Sequence, residues 1–381
     1  MWGISLKPEQ NGDLMYIKEV KLVETREVRQ PSFPYAKPTD FYRLPESSPA
    51  SAAMADKVSL LRLTTDEGVQ GYVETSHQVA KVALELSPYV VGLKVSQTSK
   101  ATDLLYRLTL PVGRAGIYVH AVSALELLMW DALCKEVGMP CYSLLGGPSR
   151  EEARAYASHL HPRPIDELRR EARDYVSQGF TAMKMRFPSG PWDPLGVERN
   201  ESLVKAVKEE VGYSIELAAD CWMSWNLNFA MKMARKLERY ELAWIEEPLL
   251  PDDLKGYTKL SKEGVPVAAG EHHYHVYDFL RLLEAGVRIL QPDALWSGGI
   301  TTMKKVIALA EAYGAWVIPH TSNVYNLHVV FSESENVMPL VEYLPHYRWM
   351  QNFSLNPQRP KNGRFTLPQG KGFCVEYEKF T

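Results

Sequence analysis

Residues 242–271 read LAWIEEPLLPDDLKGYTKLSKEGVPVAAGE and contain the repeating unit that decides the fold. Two short apolar stretches, 242–247 and 266–271, have the length of buried strands, and each ends on an acidic residue. A helix fits between them. Strands that alternate with helices predict parallel βαβ units.

The same unit recurs along the chain after Gly146-Gly147, and eight candidate strands can be recognised. They are RAYAS (154–158), TAMKMR (181–186), SIELAAD (214–220), LAWIEE (242–247), PVAAGE (266–271), RILQPD (288–293), WVIPH (316–320) and PLVE (339–342). Eight units in a row predict a closed α/β barrel of the TIM type rather than an open sheet.

Helical patterns separate these strands. In LVKAVKEEV (203–211) the apolar residues fall on one face, and MKKVIALAEAYG (303–314) behaves similarly. Glycines stand where such helices should end, as glycine does after a helix C-terminus. These glycines are Gly179, Gly212, Gly286 and Gly314.

The first part of the chain predicts an α+β domain. Residues 16–28 and 58–75 alternate in the strand manner, with Asp66-Glu67-Gly68 as a hairpin turn, and helical patterns follow from about 79 to 138. The stretch 31–53 has five prolines and no periodicity. A loop of this length with several aromatic residues favours a lid.

Composition narrows the function classes. The chain of 381 residues is 45% hydrophobic and 23% charged, and its formal charge of −3 comes without any basic run, which argues against a nucleic-acid partner. The four scattered cysteines predict free thiols. With no signal-like N-terminus and no run of about eighteen apolar residues, we expect a cytoplasmic protein without a membrane span.

Acids and bases end successive strands. They are Lys184, Asp220, Glu246, Glu271, Asp293, His320 and Glu342. From Asp220 onward the successive separations are 26, 25, 22, 27 and 22 residues. A spacing of one βα unit places these side chains on one rim of the barrel, where barrel enzymes keep their active sites.

Three of these residues predict a metal site. The carboxylates of Asp220, Glu246 and Glu271 form an all-oxygen ligand set, which suits Mg²⁺ better than zinc. Glu247 follows Glu246 directly, and adjacent strand residues face opposite ways, so only one of the two should enter the barrel. The residues alone leave that choice open.

Across the mouth, Asp293 and His320 end neighbouring strands. A carboxylate that holds one imidazole nitrogen fixes the tautomer and makes the other nitrogen a general base. A base opposite a metal suggests removal of a proton next to a carboxylate, with the cation stabilising the charge of the enediolate.

The chain resembles the enolase superfamily in its mandelate-racemase-like branch, and the likeness covers essentially the whole sequence. The matching stretches are SALELLMWDALCKEVGMPCYSLLGG (123–147), WIEEP (244–248), QPDALWSGGIT (291–301) and IPH (318–320). Within the branch it is most similar to the L-rhamnonate dehydratases. That likeness rests on DCWMSW (220–225), GEHH (270–273), PHTSNVYNLHVV (319–330) and NGRF…GKGFCVEY (362–377).

The resemblance implies a (β/α)7β modified TIM barrel over 148–345 with an N-terminal α+β capping domain over 1–147 and a C-terminal segment, 346–381, that packs back on the cap. It selects Glu246 over Glu247 as the metal ligand. It implies a catalytic His320 oriented by Asp293, and Glu342 in the substrate site. The reaction would be Mg²⁺-dependent loss of water from an aldonic acid, giving a 2-keto-3-deoxy sugar acid.

One feature argues for a single base. Relatives in this branch that racemise carry Lys-x-Lys on the second strand, whereas this chain has Lys184-Met185-Arg186. Arginine stays protonated at any working pH. We therefore expect His320 alone to remove the C2 proton and to protonate the departing C3 hydroxyl, with Lys184 acting as a positive charge.

Substrate contacts are expected from Arg43, Arg186, Trp222 and His273, with His272 and His275 lying behind or outside the site. No histidine precedes His77, so the lid histidine that the L-rhamnonate dehydratases use is missing. The sugar therefore stays open among rhamnonate, lyxonate, mannonate, fuconate, arabinonate and galactonate. The family also predicts a homo-oligomer.

Three alternatives are left. The first is an acid sugar epimerase of the same superfamily. The second is a zinc-dependent barrel hydrolase, suggested by His159 and His161 just beyond the first barrel strand. The third is a non-catalytic homologue.

Overall fold

The computed structural model describes residues 15–28, 34–42, 57–345 and 351–378. The N-terminal part contains a three-stranded antiparallel sheet in the order β1-β2-β3. Its strands are β1 (Ile17–Glu27), β2 (Lys57–Thr65) and β3 (Gln70–Ser76). The predicted turn joins β2 to β3, and Gly68 takes the positive φ of 85° that such a turn needs. The predicted hairpin is confirmed.

Helices cover this sheet. They are α1 (His77–Leu86), α2 (Thr98–Thr109), α3 (Ile117–Val137) and the short α4 (Cys141–Leu144). By length and composition α3 could cross a membrane, but most of it is buried inside the protein, as in the core helix of a globular domain. It lies very close to β3, because a Cβ at Gly71 would come within 2.2 Å of the Leu128 carbonyl oxygen.

Eight parallel strands follow, in chain order around the sheet, except that the last lies beside the first. They are β4 (Glu152–Leu160), β5 (Ala182–Arg186), β6 (Glu216–Asp220), β7 (Ile245–Glu246), β8 (Val267–Ala269), β9 (Ile289–Leu290), β10 (Trp316–Val317) and β11 (Val341–Tyr343). Between the two ends of the sheet, the Val317 N–H donates to the Val337 carbonyl at 2.8 Å. Several strands end earlier than predicted, so Glu271, Asp293 and His320 lie in the loops just beyond them.

Seven longer helices separate these strands within residues 152–343. They are α5 (Ile165–Ser177), α6 (Gly196–Val211), α7 (Leu227–Leu237), α8 (Leu254–Lys262), α9 (His275–Glu284), α10 (Gly299–Ala312) and α11 (Val324–Ser332). The four predicted helix-ending glycines all have positive φ, between 62° and 94°. The predicted (β/α)7β barrel with an α+β cap is confirmed. Short 3₁₀ turns occur at Pro38–Tyr42, Ser87–Tyr89 and Glu238–Tyr240.

The barrel interior is layered. One buried layer is apolar and consists of Tyr156, Ala182, Ala218, Trp244, Ala268, Ile289, Ile318 and Leu340. Side chains two residues further along a strand point to the same side, which gives the next inward layer. That layer consists of Ser158, Lys184, Asp220, Glu246, Gly270, Gln291, His320 and Glu342. The first layer therefore closes the barrel, and the second forms a polar floor at its mouth.

The C-terminal segment contacts both parts of the molecule. Its strand β12 (Arg364–Thr366) pairs antiparallel with β4. Phe353 is buried together with Val58 and Leu60 of β2. The Glu74 carboxylate of β3 accepts hydrogen bonds from the backbone and side chain of Asn352, at 3.0 and 2.7 Å. The domain boundaries themselves stay a prediction.

A buried carboxylate joins the cap to the barrel. Glu126 of α3 accepts hydrogen bonds from the backbone N–H groups of Ile300 (3.0 Å) and Thr301 (2.9 Å) at the beginning of α10, and from the Thr301 hydroxyl (2.7 Å). The Trp130 indole N–H donates to it at 2.8 Å. A negative charge at a helix N-terminus is stabilising, because the free N–H groups there carry partial positive charge.

We expect Glu126→Ala to lower the free energy of unfolding by about 2–3 kcal/mol, because buried donors would lose a charged acceptor. Glu136→Ala, an exposed position in the same helix, is the matched control and should change it by less than about 0.5 kcal/mol. Urea denaturation followed by circular dichroism measures both. Equal stability of the two variants would contradict this account of the cap–barrel contact.

Candidate active site

The carboxyl ends of the barrel strands bring the predicted acids and bases together. Asp220 and Glu246 are the last residues of β6 and β7, and Lys184 and Glu342 lie in β5 and β11. All four side chains are almost completely buried. Because parallel strands end at the same rim, residues far apart in sequence meet at the mouth.

Lys184 is the centre of this group. Its ammonium contacts Glu246 Oε1, lies 2.8 Å from Glu342 Oε1 and lies 3.7 Å from Asp220 Oδ2. Burial disfavours the charge, but the Glu246 and Glu342 carboxylates outweigh burial and raise the pKa of Lys184 well above its ordinary value. Lys184 is therefore a fixed positive charge among three carboxylates.

The structure distinguishes Glu246 from Glu247. Trp244 belongs to the inward apolar layer, so Glu246, two residues on, also faces inward. Glu246 Oε2 accepts hydrogen bonds from Trp244 Nε1 at 3.0 Å and Gln291 Nε2 at 2.6 Å. Glu247 follows the strand with a φ of 38° and pairs with His272 Nδ1 at 2.8 Å.

Burial and neighbouring charges shift the pKa values of the buried acids. Burial raises the pKa of Glu246 to about 8; Lys184 opposes this rise, and Asp220 and Glu342 add to it. For Glu342 the balance is reversed: burial is outweighed by Lys184 and His320, which lower its pKa to about 2. Two buried glutamates around one ammonium thus differ strongly in proton affinity.

Both carboxylate oxygens of Asp220 contact neighbouring groups. Its Oδ1 accepts the Trp222 backbone N–H at 2.9 Å, and its Oδ2 lies 3.1 Å from the Arg186 guanidinium. Burial disfavours the Arg186 charge, but Asp220, Tyr35 and other neighbours outweigh it and raise the pKa of Arg186 above its ordinary value. Arg186 is therefore a permanent cation beside the predicted ligand.

His320 and Asp293 are paired across the mouth. The Nδ1–H of His320 donates to Asp293 Oδ2 at 3.0 Å. Asp293 Oδ1 is itself held by the Leu295 backbone N–H at 2.8 Å and by Asn323 Nδ2 at 2.9 Å. The other ring nitrogen, Nε2, lies 3.4 Å from Glu271 Oε2 and therefore faces the predicted metal ligands.

The proton affinity of His320 is high in this arrangement. Burial lowers the pKa, but Glu271, Asp293 and Glu342 outweigh burial and raise it to about 10. The reciprocal effect is seen at Glu271: burial would raise the pKa of this carboxyl, whereas His320 and His272 lower it. The His320–Glu271 contact thus favours the charged form of both groups.

Trp222 and His272 surround Glu271. The Trp222 indole N–H donates to Glu271 Oε1 at 3.2 Å, and His272 Nδ1 lies 3.5 Å from the same oxygen. Donor atoms of Glu247, Glu271 and His272 lie within 4.8 Å of one another, a grouping that could also hold a metal. Glu247 outweighs burial and raises the pKa of His272 to about 9.

The other two histidines of the 269–277 stretch lie apart from the carboxylates. Strand β8 ends at Ala269, and Gly270 has a φ of 155° with no room for a Cβ, which would come within 2.5 Å of the Gln291 backbone nitrogen. The simple alternation that predicted an inward His273 ends there. His273 is buried, with its ring 6.4 Å from Phe279, and His275 packs on Tyr106 at 4.2 Å. The role predicted for His273 is untested.

A lid residue that the site prediction did not include reaches the mouth. Tyr35 places its ring 4.8 Å from the Arg186 guanidinium and edge-on to Trp222 at 5.5 Å. The Ala36 backbone N–H donates to the Phe187 carbonyl at 2.8 Å and holds this part of the lid over β5. Arg43 and most of the predicted lid lie outside the described residues. The aromatic residues of 31–53 were the signal that could have selected Tyr35.

Sequence reasoning also missed Gln291 and Trp296, and the Trp296 ring lies 4.7 Å from the His320 ring. His159 and His161, the two histidines that suggested a zinc-dependent hydrolase, lie at the end of β4. His159 contacts Glu171, and the His161 ring lies 6.1 Å from that of Tyr35.

Comparisons with known proteins give the family. Residues 167–380 match the model described as enolase C-terminal domain-like, and residues 40–146 match the N-terminal domain of mandelate racemase and muconate lactonizing enzyme. A relative from Saccharopolyspora erythraea named L-rhamnonate dehydratase is 36% identical over 77% of this chain and 75% of its own. A relative from Caldivirga maquilingensis, provisionally given the same name, is 39% identical over 77% of this chain and 74% of its own.

Solved structures agree in fold. L-rhamnonate dehydratase from Gibberella zeae has a TM-score of 0.81 at 24% identity, over 98% of this chain and 95% of its own. The same enzyme has also been solved as a complex with Mg, with a TM-score of 0.77 over 96% of this chain and 95% of that one. The resemblance inferred from sequence motifs is confirmed. The relatives named L-rhamnonate dehydratase are hydro-lyases. The chain belongs to the enolase superfamily, in its mandelate racemase and muconate lactonizing enzyme branch.

Proposed function

We propose that this protein is an acid sugar dehydratase that converts L-rhamnonate or a related aldonic acid to the 2-keto-3-deoxy sugar acid. The observation that carries the proposal is the His320–Asp293 pair, whose other ring nitrogen, Nε2, faces the buried carboxylates across the barrel mouth. The names of the two relatives support the chemical class. Both the identity of the sugar and the mechanism are part of the proposal.

The residues present fit Mg²⁺. All three predicted ligands, Asp220, Glu246 and Glu271, are carboxylates, the donor type that this hard cation prefers. The mouth already holds a cation, since Asp220 and Glu246 both contact the Lys184 ammonium. Bound Mg²⁺ would stabilise negative charge developing on the substrate carboxylate and, by sharing Glu271, would lower the pKa of His320.

The protein's own residues divide the remaining work. His320 Nε2 takes the proton from C2, while Asp293 holds Nδ1–H and stabilises the imidazolium that results. The same imidazolium then gives its proton to the C3 hydroxyl as it leaves. Because Arg186 stays protonated, no second base stands at the β5 end, which favours elimination over epimerisation.

Positive and aromatic side chains would bind the substrate. Lys184 and Arg186 are fixed cations beside the carboxylates and suit an anionic acid. Trp222 and the lid residue Tyr35 border the same space. Arg43 and His273 stay predictions, as do a cytoplasmic location and a homo-oligomeric state.

A panel of aldonic acids tests the proposed function. We expect Mg²⁺-dependent formation of a 2-keto-3-deoxy product from at least one of rhamnonate, lyxonate, mannonate, fuconate, arabinonate and galactonate, measured with a colorimetric assay for that product. His320→Asn should lower kcat by about 10³-fold, because the base is lost.

The matched control is His275→Asn, a buried histidine packed on Tyr106 outside the site, which should retain most of the activity. A C2 epimer as the main product would favour the epimerase alternative. Zinc-dependent hydrolysis or undiminished dehydration by His320→Asn would reject the proposal.

Neighbouring glutamates test the metal site without using activity. Glu246→Gln should weaken Mg²⁺ binding by about 100-fold or more, measured by isothermal titration calorimetry, because it removes an inward carboxylate. Glu247→Gln, which alters a carboxylate paired with His272, should keep the affinity within about 10-fold. The opposite order would place the metal at Glu247, Glu271 and His272 instead.

A further inference from the structure

Trp296 contacts two histidines from different parts of the chain. Its indole lies at a centroid distance of 4.7 Å from the His320 ring, with 43° between the ring planes. The His120 ring stacks on it at 5.2 Å and 16°. His120 belongs to the cap helix α3, so the three rings connect the cap to the catalytic base.

The barrel holds the Trp296 backbone next to Asp293. The Trp296 N–H donates to the Asp293 carbonyl at 2.9 Å, in the loop that follows β9. The side chain is only partly buried, which places it at the border of the mouth. Its backbone is therefore fixed by the loop that supplies Asp293, and its ring position depends on packing.

His120 contributes to that packing. The residue is partly buried, and burial, reinforced by His272, lowers the pKa of His120 to about 3, so it is neutral at working pH. Within the described residues its Nε2 atom has no hydrogen-bond partner. His120 therefore offers Trp296 a flat uncharged ring, and ring stacking of this kind contributes about 0.5–1.5 kcal/mol beyond burial.

Polar contacts hold the edges of the His320 ring: Nδ1 lies 3.0 Å from Asp293 Oδ2, and Nε2 lies 3.4 Å from Glu271 Oε2. Contacts at the ring nitrogens act in the plane of the imidazole, whereas an aromatic ring packed against it limits its rotation about the Cβ–Cγ bond. Trp296 supplies that packing. A displacement of about 1 Å at a proton-transfer atom can cost about 100-fold in rate.

We propose that Trp296 is a positioning residue that sets the ring plane of His320, and that His120 of the cap holds Trp296 in place. The kinetic consequences rest on the proposed dehydration, whereas the geometric ones do not. The inference assigns the cap a role in the chemistry that is separate from covering the substrate.

The test uses two pairs of variants in the full-length protein. Trp296→Leu removes the aromatic face and Trp296→Phe keeps one; His120→Ala removes the stacked ring and His120→Phe keeps it. Trp316→Leu, at a tryptophan that is 48% exposed in β10, is the matched control for loss of an indole.

We expect Trp296→Leu to lower kcat by about 10- to 100-fold with KM changed less than about threefold, and Trp296→Phe to recover most of the loss. His120→Ala should lower kcat by a smaller factor, and His120→Phe should restore it. An unchanged kcat in Trp296→Leu, or a raised KM with kcat unchanged, would overturn the proposal.

Crystal structures of the variants separate this proposal from the proposed function. In Trp296→Leu the His320 ring should be tilted or split between two orientations, and in Trp296→Phe it should keep one. If no aldonic acid is a substrate, this comparison still decides the positioning role. If Trp296→Leu does not fold, His120→Ala and His120→Phe test the same ring contact by changing His120 instead of Trp296. A single unchanged His320 orientation in His120→Ala and in any folded Trp296→Leu would overturn it.

Discussion

The site depends on compensation of buried negative charge at one rim of the barrel. Parallel strands bring Asp220, Glu246 and Glu342 to the same level, and the Lys184 ammonium contacts all three. Buried carboxylates without a cation would be costly, because burial removes them from water. Lys184 compensates only part of this negative charge, so the mouth is also suitable for a divalent cation. With Arg186 beside Asp220, the mouth would also suit an anionic substrate.

Around this centre, separate parts of the chain position the proposed catalytic base, His320. The loop after β9 supplies Asp293, the loop after β10 supplies His320, and Asn323 at the beginning of α11 holds Asp293. The cap adds His120, which stacks on Trp296, and Glu126 anchors the cap to α10. The proposed base thus belongs to the barrel, and the aromatic ring packed against it also contacts the cap. Under the proposed mechanism, this arrangement would couple the integrity of the cap to the geometry of proton transfer.

Much of the fold follows from the sequence because its signals are local. Short apolar stretches identify the eight barrel strands, four glycines mark helix ends, and the spacing of strand-end acids identifies the rim. Alternation along the barrel strand also separates Glu246 from Glu247 once Trp244 is known to face inward.

Other parts of the site depend on features that alternation does not describe. The chain leaves the strand at Gly270, so His272 rather than His273 meets Glu271. Tyr35 and Trp296 come from the lid and from a loop, where neither periodicity nor charge identifies contacts with residues more than a hundred positions away, as in the Tyr35–Arg186 and Trp296–His120 pairs. These contacts arise only when the strands and the cap are assembled.

The most direct test of the account is the fate of the C2 proton in D₂O. The protein is incubated with Mg²⁺ and a sugar acid that it converts, and the recovered substrate is analysed by proton NMR and mass spectrometry before the reaction is complete. The account predicts that any deuterium at C2 enters with retained configuration and that none enters with His320→Asn. Inverted configuration at C2, or exchange that persists without His320, would show that another base removes the proton and would contradict it.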